Sequence, residues 1–107
     1  MSKQIQAITA VMEGRLWKHL ALSGSEYVIF TDKGINEGPG LIATKWRFLP
    51  ARFTSDLDAA SVVMEGGIWK YMFIKGNERI VFTDSAIFAG PEQVAVAWPF
   101  LRNWLGR

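Results

Sequence analysis

One histidine, two Thr-Asp pairs, five tryptophans and a near-balance of acids and bases make up the chemical repertoire of this 107-residue chain. Acyl or phosphoryl transfer needs a nucleophile beside a base, or a glycine-rich loop opening a helix, and neither pattern occurs. With zero cysteines and one histidine, there is no thiolate or His cluster to hold a transition metal. No enzymatic activity is therefore expected. His19 stands alone within an aromatic strand. Thr31-Asp32 and Thr83-Asp84 recur because a strand-ending turn recurs, and Asp favours such turns by hydrogen-bonding its own backbone.

Those pairs belong to a larger pattern. Val11-Met12-Glu13-Gly14 returns as Val63-Met64-Glu65-Gly66, Trp17-Lys18 as Trp69-Lys70, and Phe30-Thr31-Asp32 as Phe82-Thr83-Asp84. Gly38-Pro39 returns as Gly90-Pro91, Trp46 as Trp98 and Phe48-Leu49 as Phe100-Leu101. The offset is 52 throughout, and 18 of the 39 positions from 11 to 49 match their counterparts. A fixed period of this size marks one supersecondary unit used twice, and such a unit cannot bury its apolar faces alone. Residues 1–52 form the first unit and 53–107 the second. Four tryptophans follow the repeat (Trp17 with Trp69, Trp46 with Trp98), which points to packing between units. Trp104 falls outside it and is expected to seal a junction between chains.

Half the residues are hydrophobic and 13% are aromatic, which excludes a disordered chain. The net charge of +2 is spread along the sequence, without the positive stripe that nucleic acid requires. No apolar run approaches the ~20 residues that span a bilayer, and no charged-then-apolar leader opens the chain. Met1-Ser2-Lys3-Gln4 reads as a cytosolic start. With the absence of cysteine this favours a cytoplasmic location.

The second unit shows how the elements form. Ala59–Glu65 is β-rich and ends at the hairpin signal Glu65-Gly66-Gly67. Ile68–Ile74 follows, with Trp69, Tyr71 and Phe73 on one face and Ile68, Lys70, Met72 and Ile74 on the other. Both faces are largely apolar, so the strand is expected to be covered on both sides. Lys75-Gly76-Asn77 supplies the next turn, Glu78–Thr83 the third strand, and Ala86-Ile87-Phe88 a short fourth. Pro91-Glu92-Gln93 reads as the first turn of a short helix, with Val94 and Trp98 at i and i+4, as Ile42 and Trp46 are in the first copy.

These residues carry a resemblance to the hemopexin repeat family. Segments 22–32 and 74–84 resemble its central strand pair, and Asp58-Ala59-Ala60 resembles the Asp-Ala-Ala opening of its innermost strand. Gly90-Pro91 through Trp98-Pro99-Phe100-Leu101 resembles its close, with Gly38-Pro39 through Trp46, Leu49 and Pro50 as the first-copy equivalent. The first copy departs in having Gln6-Ala7-Ile8 at the opening, and Arg79 replaces the usual Tyr that Tyr27 keeps.

The resemblance implies an all-β chain of two four-stranded antiparallel blades, half of a four-bladed β-propeller. Half a ring leaves two apolar flanks exposed, so completion by homodimerisation is expected. It also implies a central tunnel where main-chain groups of Gln6, Ile8, Asp58 and Ala60 hold a hard cation such as Ca²⁺ or Na⁺. The functional expectation is a binding or scaffold protein with an ion or small ligand in that tunnel. Three alternatives stand beside it: haem held through His19, a purely structural or engineered half-propeller, and a tryptophan-based nucleic-acid or carbohydrate binder.

Overall fold

The computed structural model describes residues 3–106, so the Met1-Ser2 part of the expected cytosolic start lies outside the described residues. Four strands form a first sheet: β1 (Ala7–Glu13), β2 (Leu16–Ser23), β3 (Glu26–Thr31) and β4 (Gly34–Leu41). The one-turn helix α1 (Ile42–Lys45) and a 3-10 turn (Ala51–Phe53) lead to a second sheet. That sheet is β5 (Ala59–Glu65), β6 (Ile68–Lys75), β7 (Glu78–Thr83) and β8 (Ile87–Gln93). Helix α2 (Val94–Ala97), a 3-10 turn (Pro99–Leu101) and helix α3 (Arg102–Leu105) close the described chain. Both sheets are antiparallel meanders in chain order, β1-β2-β3-β4 and β5-β6-β7-β8. None of the helices among the described residues is long and apolar enough to cross a membrane.

The alternation of apolar side chains explains the strands, and the ends of the sheets correct the sequence reading. The expected short fourth strand runs on to Gln93, through Gly90-Pro91, and Pro91-Glu92-Gln93 is strand rather than helix. A register shift beside Val81 lets Glu92 and Gln93 resume pairing with Arg79 and Glu78. Proline is tolerated there because β8 is an outer edge. Gly90 has φ +83°, and a Cβ on it would lie 2.8 Å from the Arg79 carbonyl oxygen. Gly38 repeats this, at φ +87° and 2.9 Å from the Tyr27 carbonyl oxygen, so only glycine lets the edge strand approach so closely. The helix begins at Val94 instead. Val94 is buried and its carbonyl accepts from the Trp98 amide, as the Ile42 carbonyl does from Trp46.

The core lies between the sheets. Leu20, Leu22, Tyr27 and Ile29 on the first sheet face Tyr71, Phe73, Ile80 and Phe82 on the second, and all are buried. Trp46 fills the space between them. Its ring centroid lies 5.0 Å from Tyr71, 5.7 Å from Phe73 and 5.3 Å from Phe82, each edge-on. Phe53 and Leu57 on the connection between the sheets are also buried here. The expected two-sided cover of β6 is thus complete on its Tyr71 and Phe73 face, whereas Met72 and Ile74 are half-buried. Replacing Trp46 with alanine should lower the unfolding free energy by about 3–5 kcal/mol in urea titrations followed by circular dichroism.

Candidate functional site

Aromatic packing holds the centre of the inter-sheet junction, and a polar network forms its rim. Trp46 Nε1 donates to Asp84 Oδ1 at 2.9 Å, Trp69 Nε1 to Glu13 Oε2 at 3.0 Å, and the Val62 amide to Thr9 Oγ1 at 3.2 Å. All three cross from one sheet to the other. Beside them Tyr27 donates its hydroxyl to Glu37 Oε2 at 2.6 Å, and Lys45 Nζ reaches the same oxygen at 2.7 Å. A cleft of about 240 Å³ opens over this rim, lined by Glu13, Lys18, Glu37, Lys45, Tyr71 and Asp84.

Every carboxylate in the cleft has a donor, Glu13 and Glu37 a lysine each and Asp84 the Trp46 indole. Burial pushes the Tyr27 hydroxyl up to about 12, helped by its bond to Glu37 and by the nearby Glu37 and Asp84 charges. Burial, then Asp84, raises Tyr71 further. Burial also opposes ionisation of Glu37, but the bonds from Lys45 and Tyr27 and the charges of Lys45 and Lys18 outweigh it, leaving its pKa below the ordinary value. Bonds from Lys18 and Trp69 lower Glu13 likewise.

The sequence reading missed the rim. Thr-Asp was expected to close its turn through the Asp side chain. Instead Thr31 Oγ1 accepts the Lys33 amide and Thr83 Oγ1 the Ser85 amide, which frees Asp84 to reach Trp46. The signal was present, because Trp and Asp recur together at the same offset of 52.

The repeat makes this junction a template, and its counterpart stands open. Val11 is 7% exposed but Val63 is 51%, and Phe53 is 0% exposed but Leu105 is 46%. On the opposite flank, Leu57 is 3% exposed but Ile5 is 59%. Of the tryptophans, Trp46 is buried, Trp69 and Trp98 are half-buried, and Trp17 and Trp104 are exposed. The outer flank of the second sheet carries a groove of about 540 Å³ lined by Ile74, Val94, Trp98, Leu101, Trp104 and Leu105. The outer flank of the first sheet carries an apolar depression of about 220 Å³, with Ile5, Ala21, Leu22 and Phe30 among its walls. Shifted by 52, those wall residues are Leu57, Phe73, Ile74 and Phe82, three of which wall the junction core around Trp46.

His19 lies on this open flank, stacked on Phe30 at 5.0 Å, with Nε2 4.0 Å from Asp32 Oδ1. Gln6 and Asp58 start the inner strands, and their side chains pin hairpins: Gln6 Oε1 accepts the Gly24 amide at 2.8 Å and Asp58 Oδ2 the Gly76 amide at 2.6 Å. Ile8 is half-exposed on β1, and Ala60 on β5 is half-buried. Among the described residues no group of three or more His, Cys, Asp or Glu side chains is arranged to hold a metal ion.

No family model and no curated protein matches the chain. Solved structures do. The hemopexin fold protein CP4 from cow pea superposes with a TM-score of 0.74 at 17% identity, over 91% of this chain and 45% of that one. A plant lectin with two metal binding sites from Cicer arietinum gives 0.75 at 17%, over 95% and 50%. A 2S albumin seed protein from Dolichos gives 0.73 at 18%, over 92% and 47%. At these identities the likeness is one of fold. The two sheets have the hemopexin-type arrangement, and the chain spans about half the length of the proteins it matches.

The tyrosines give the junction a pH limit. Tyr27 has a folded pKa raised from 10 to about 12, so its contribution to stability is complete below pH 10 and is lost as pH rises through about 12. Thermal melts across that window should fall in midpoint, and the fall should be smaller in Tyr27→Phe.

Proposed function

We propose that the chain is a non-enzymatic binding or scaffold module of the hemopexin fold that closes a four-sheet ring with a second copy of itself. The observation that carries this reading is the repeat-paired exposure of the flanks. Val11, Phe53 and Leu57, which the junction buries, have counterparts in Val63, Leu105 and Ile5 that stand open, on two flanks that match the two sides of the existing junction. Both flanks cannot be joined within two sheets. Two chains related by a twofold axis would use each flank once and leave no apolar edge. The span of about half a hemopexin-fold chain fits the same count. Closure at about 1,000–2,000 Å² per interface makes the assembly obligate rather than transient.

The ring would set β1 and β5 about its axis. They are the inner edge of each sheet, paired on one side only, and they already pack against each other. In such a ring, main-chain carbonyls of the Gln6–Ile8 and Asp58–Ala60 segments at these free edges would line the axis, each doubled by the second chain. Carbonyl oxygens suit a hard cation such as Ca²⁺ or Na⁺, and the lectin of this fold is described as having two metal binding sites. The proposed role is a closed ring presenting this axial site and its rims to a small ligand or ion.

Light scattering on the purified chain tests both parts. Two chains of 12.0 kDa give a dimer of about 24 kDa. A stable species of single-chain mass at micromolar concentration would overturn closure by a second copy. If the axis holds Ca²⁺, EDTA should lower the dimer's melting temperature and added Ca²⁺ restore it. A melt unchanged by EDTA removes Ca²⁺ from the proposal.

A further inference from the structure

The two copies of the repeat differ most where the junction chemistry is concentrated. In the existing junction Tyr27 lies against Trp46, 5.6 Å between ring centroids, and Trp46 Nε1 donates across to Asp84. Fifty-two residues on, Arg79 takes the place of Tyr27 and Trp98 that of Trp46, while Asp32 corresponds to Asp84 on the opposite flank. The Arg79 guanidinium lies over the Trp98 ring at 4.8 Å, and Nη2 donates to Glu92 Oε2 at 2.7 Å. Its Nε is buried with no acceptor. Buried donors are nearly always satisfied, so the guanidinium is short of an acceptor within its own chain. Asp32 meanwhile has a side chain 96% exposed, with His19 Nε2 4.0 Å away.

We infer that a second copy supplies that acceptor: ring closure brings Asp32 of the partner subunit onto Arg79 and Trp98, and this chain's Asp32 onto the partner's Arg79. This deepens the ring reading and rests on it. The docking follows the existing junction, in which the Asp84 carboxylate accepts from Trp46 and its charge reaches Tyr27. Trp98 Nε1 donates to the incoming carboxylate as Trp46 does, and Arg79 adds a charge-assisted bond where Tyr27 offers none. The charged groups facing the pair by this template are Glu92 from β8, the Glu65–Lys70 pair of the second sheet and His19 from β2. Glu92 takes Nη2 and Nε is closed off from solvent, so the incoming carboxylate meets the guanidinium through the N–H groups that remain. At this point the within-chain junction is thereby closed by the indole–carboxylate bond alone and the between-chain junction by an ion pair as well. That difference selects a second copy at the open flanks and fixes its orientation.

Charge reversal in trans tests this. Asp32→Arg alone sets two guanidiniums together at each between-chain junction, and Arg79→Asp alone sets two carboxylates together. Each variant should weaken the dimer by at least about 100-fold in analytical ultracentrifugation, as like charges in a desolvated junction do. Mixed in equal amounts they should form a heterodimer within about tenfold of wild-type affinity, because every junction then holds one charge of each sign. Asp32 is exposed, so Asp32→Arg should melt as a folded chain. Arg79→Tyr combined with Glu92→Gly, which installs the first-copy pair, should keep the ring stacking and still weaken the dimer. Single reversals that dimerise like the wild type, or a mixture that recovers nothing, would overturn the pairing while leaving ring closure standing. A monomeric wild type would overturn both, and is read before any variant is made.

Discussion

A β-sheet with apolar side chains on both faces must be sandwiched, and most of what this chain does follows from that requirement. The junction that meets it is built around Trp46. The indole reaches from the end of α1 into the space between β2–β3 and β6–β7, where Tyr71, Phe73 and Phe82 close edge-on around it. Dispersion and apolar burial dominate there, because the ring is fully buried and its one polar atom is matched by Asp84. The hydrogen bonds at the rim add less energy but set alignment, since a slip of one residue would break Trp69 to Glu13 and Val62 to Thr9 together.

The same requirement explains how much was legible in the sequence. Repeat, strand alternation and the Gly hairpins all report local chain geometry, so β1–β3 and β5–β7 follow directly from them. The i, i+4 pairs Ile42 with Trp46 and Val94 with Trp98 located the helical turns for the same reason. The outer strands were harder. Gly90-Pro91 normally punctuates a chain, and only the register shift opposite Val81 shows that pairing resumes beyond it. The rim was the hardest part to read, because its pairs lie far apart in sequence and only the shared offset of Trp and Asp points to one of them. Trp46 and Asp84 are separated by 38 residues and Trp69 and Glu13 by 56.

The repeat also hides a difference between its copies. Sequence identity is concentrated in turns and in the Trp, Phe and Gly positions that any junction of this type needs. The polar positions around position 27 have instead changed together: Tyr27, Glu37, Gly40 and Lys45 become Arg79, Ala89, Glu92 and Ala97. Only the first set is complete within itself. Tyr27 is held by Glu37, which is in turn held by Lys45. Arg79 has Glu92 alone, so the carboxylate has moved along the edge strand and the lysine is dispensable.

Steric contact shows why these positions move as a set. A Cβ at Gly40 would stand 3.1 Å from Tyr27 Cε1, so with the tyrosine in place nothing larger fits without displacing the ring. At the corresponding Glu92 the arginine turns its guanidinium onto Trp98, and the strand can carry a side chain that bonds it. The exchange therefore replaces an aromatic wedge with a cation lying flat on an indole. That surface has less ring area to bury against a neighbour and one more donor to satisfy, so it is suited to a carboxylate arriving from outside the sheet pair. The existing junction, by contrast, finds donors for its carboxylates within the chain.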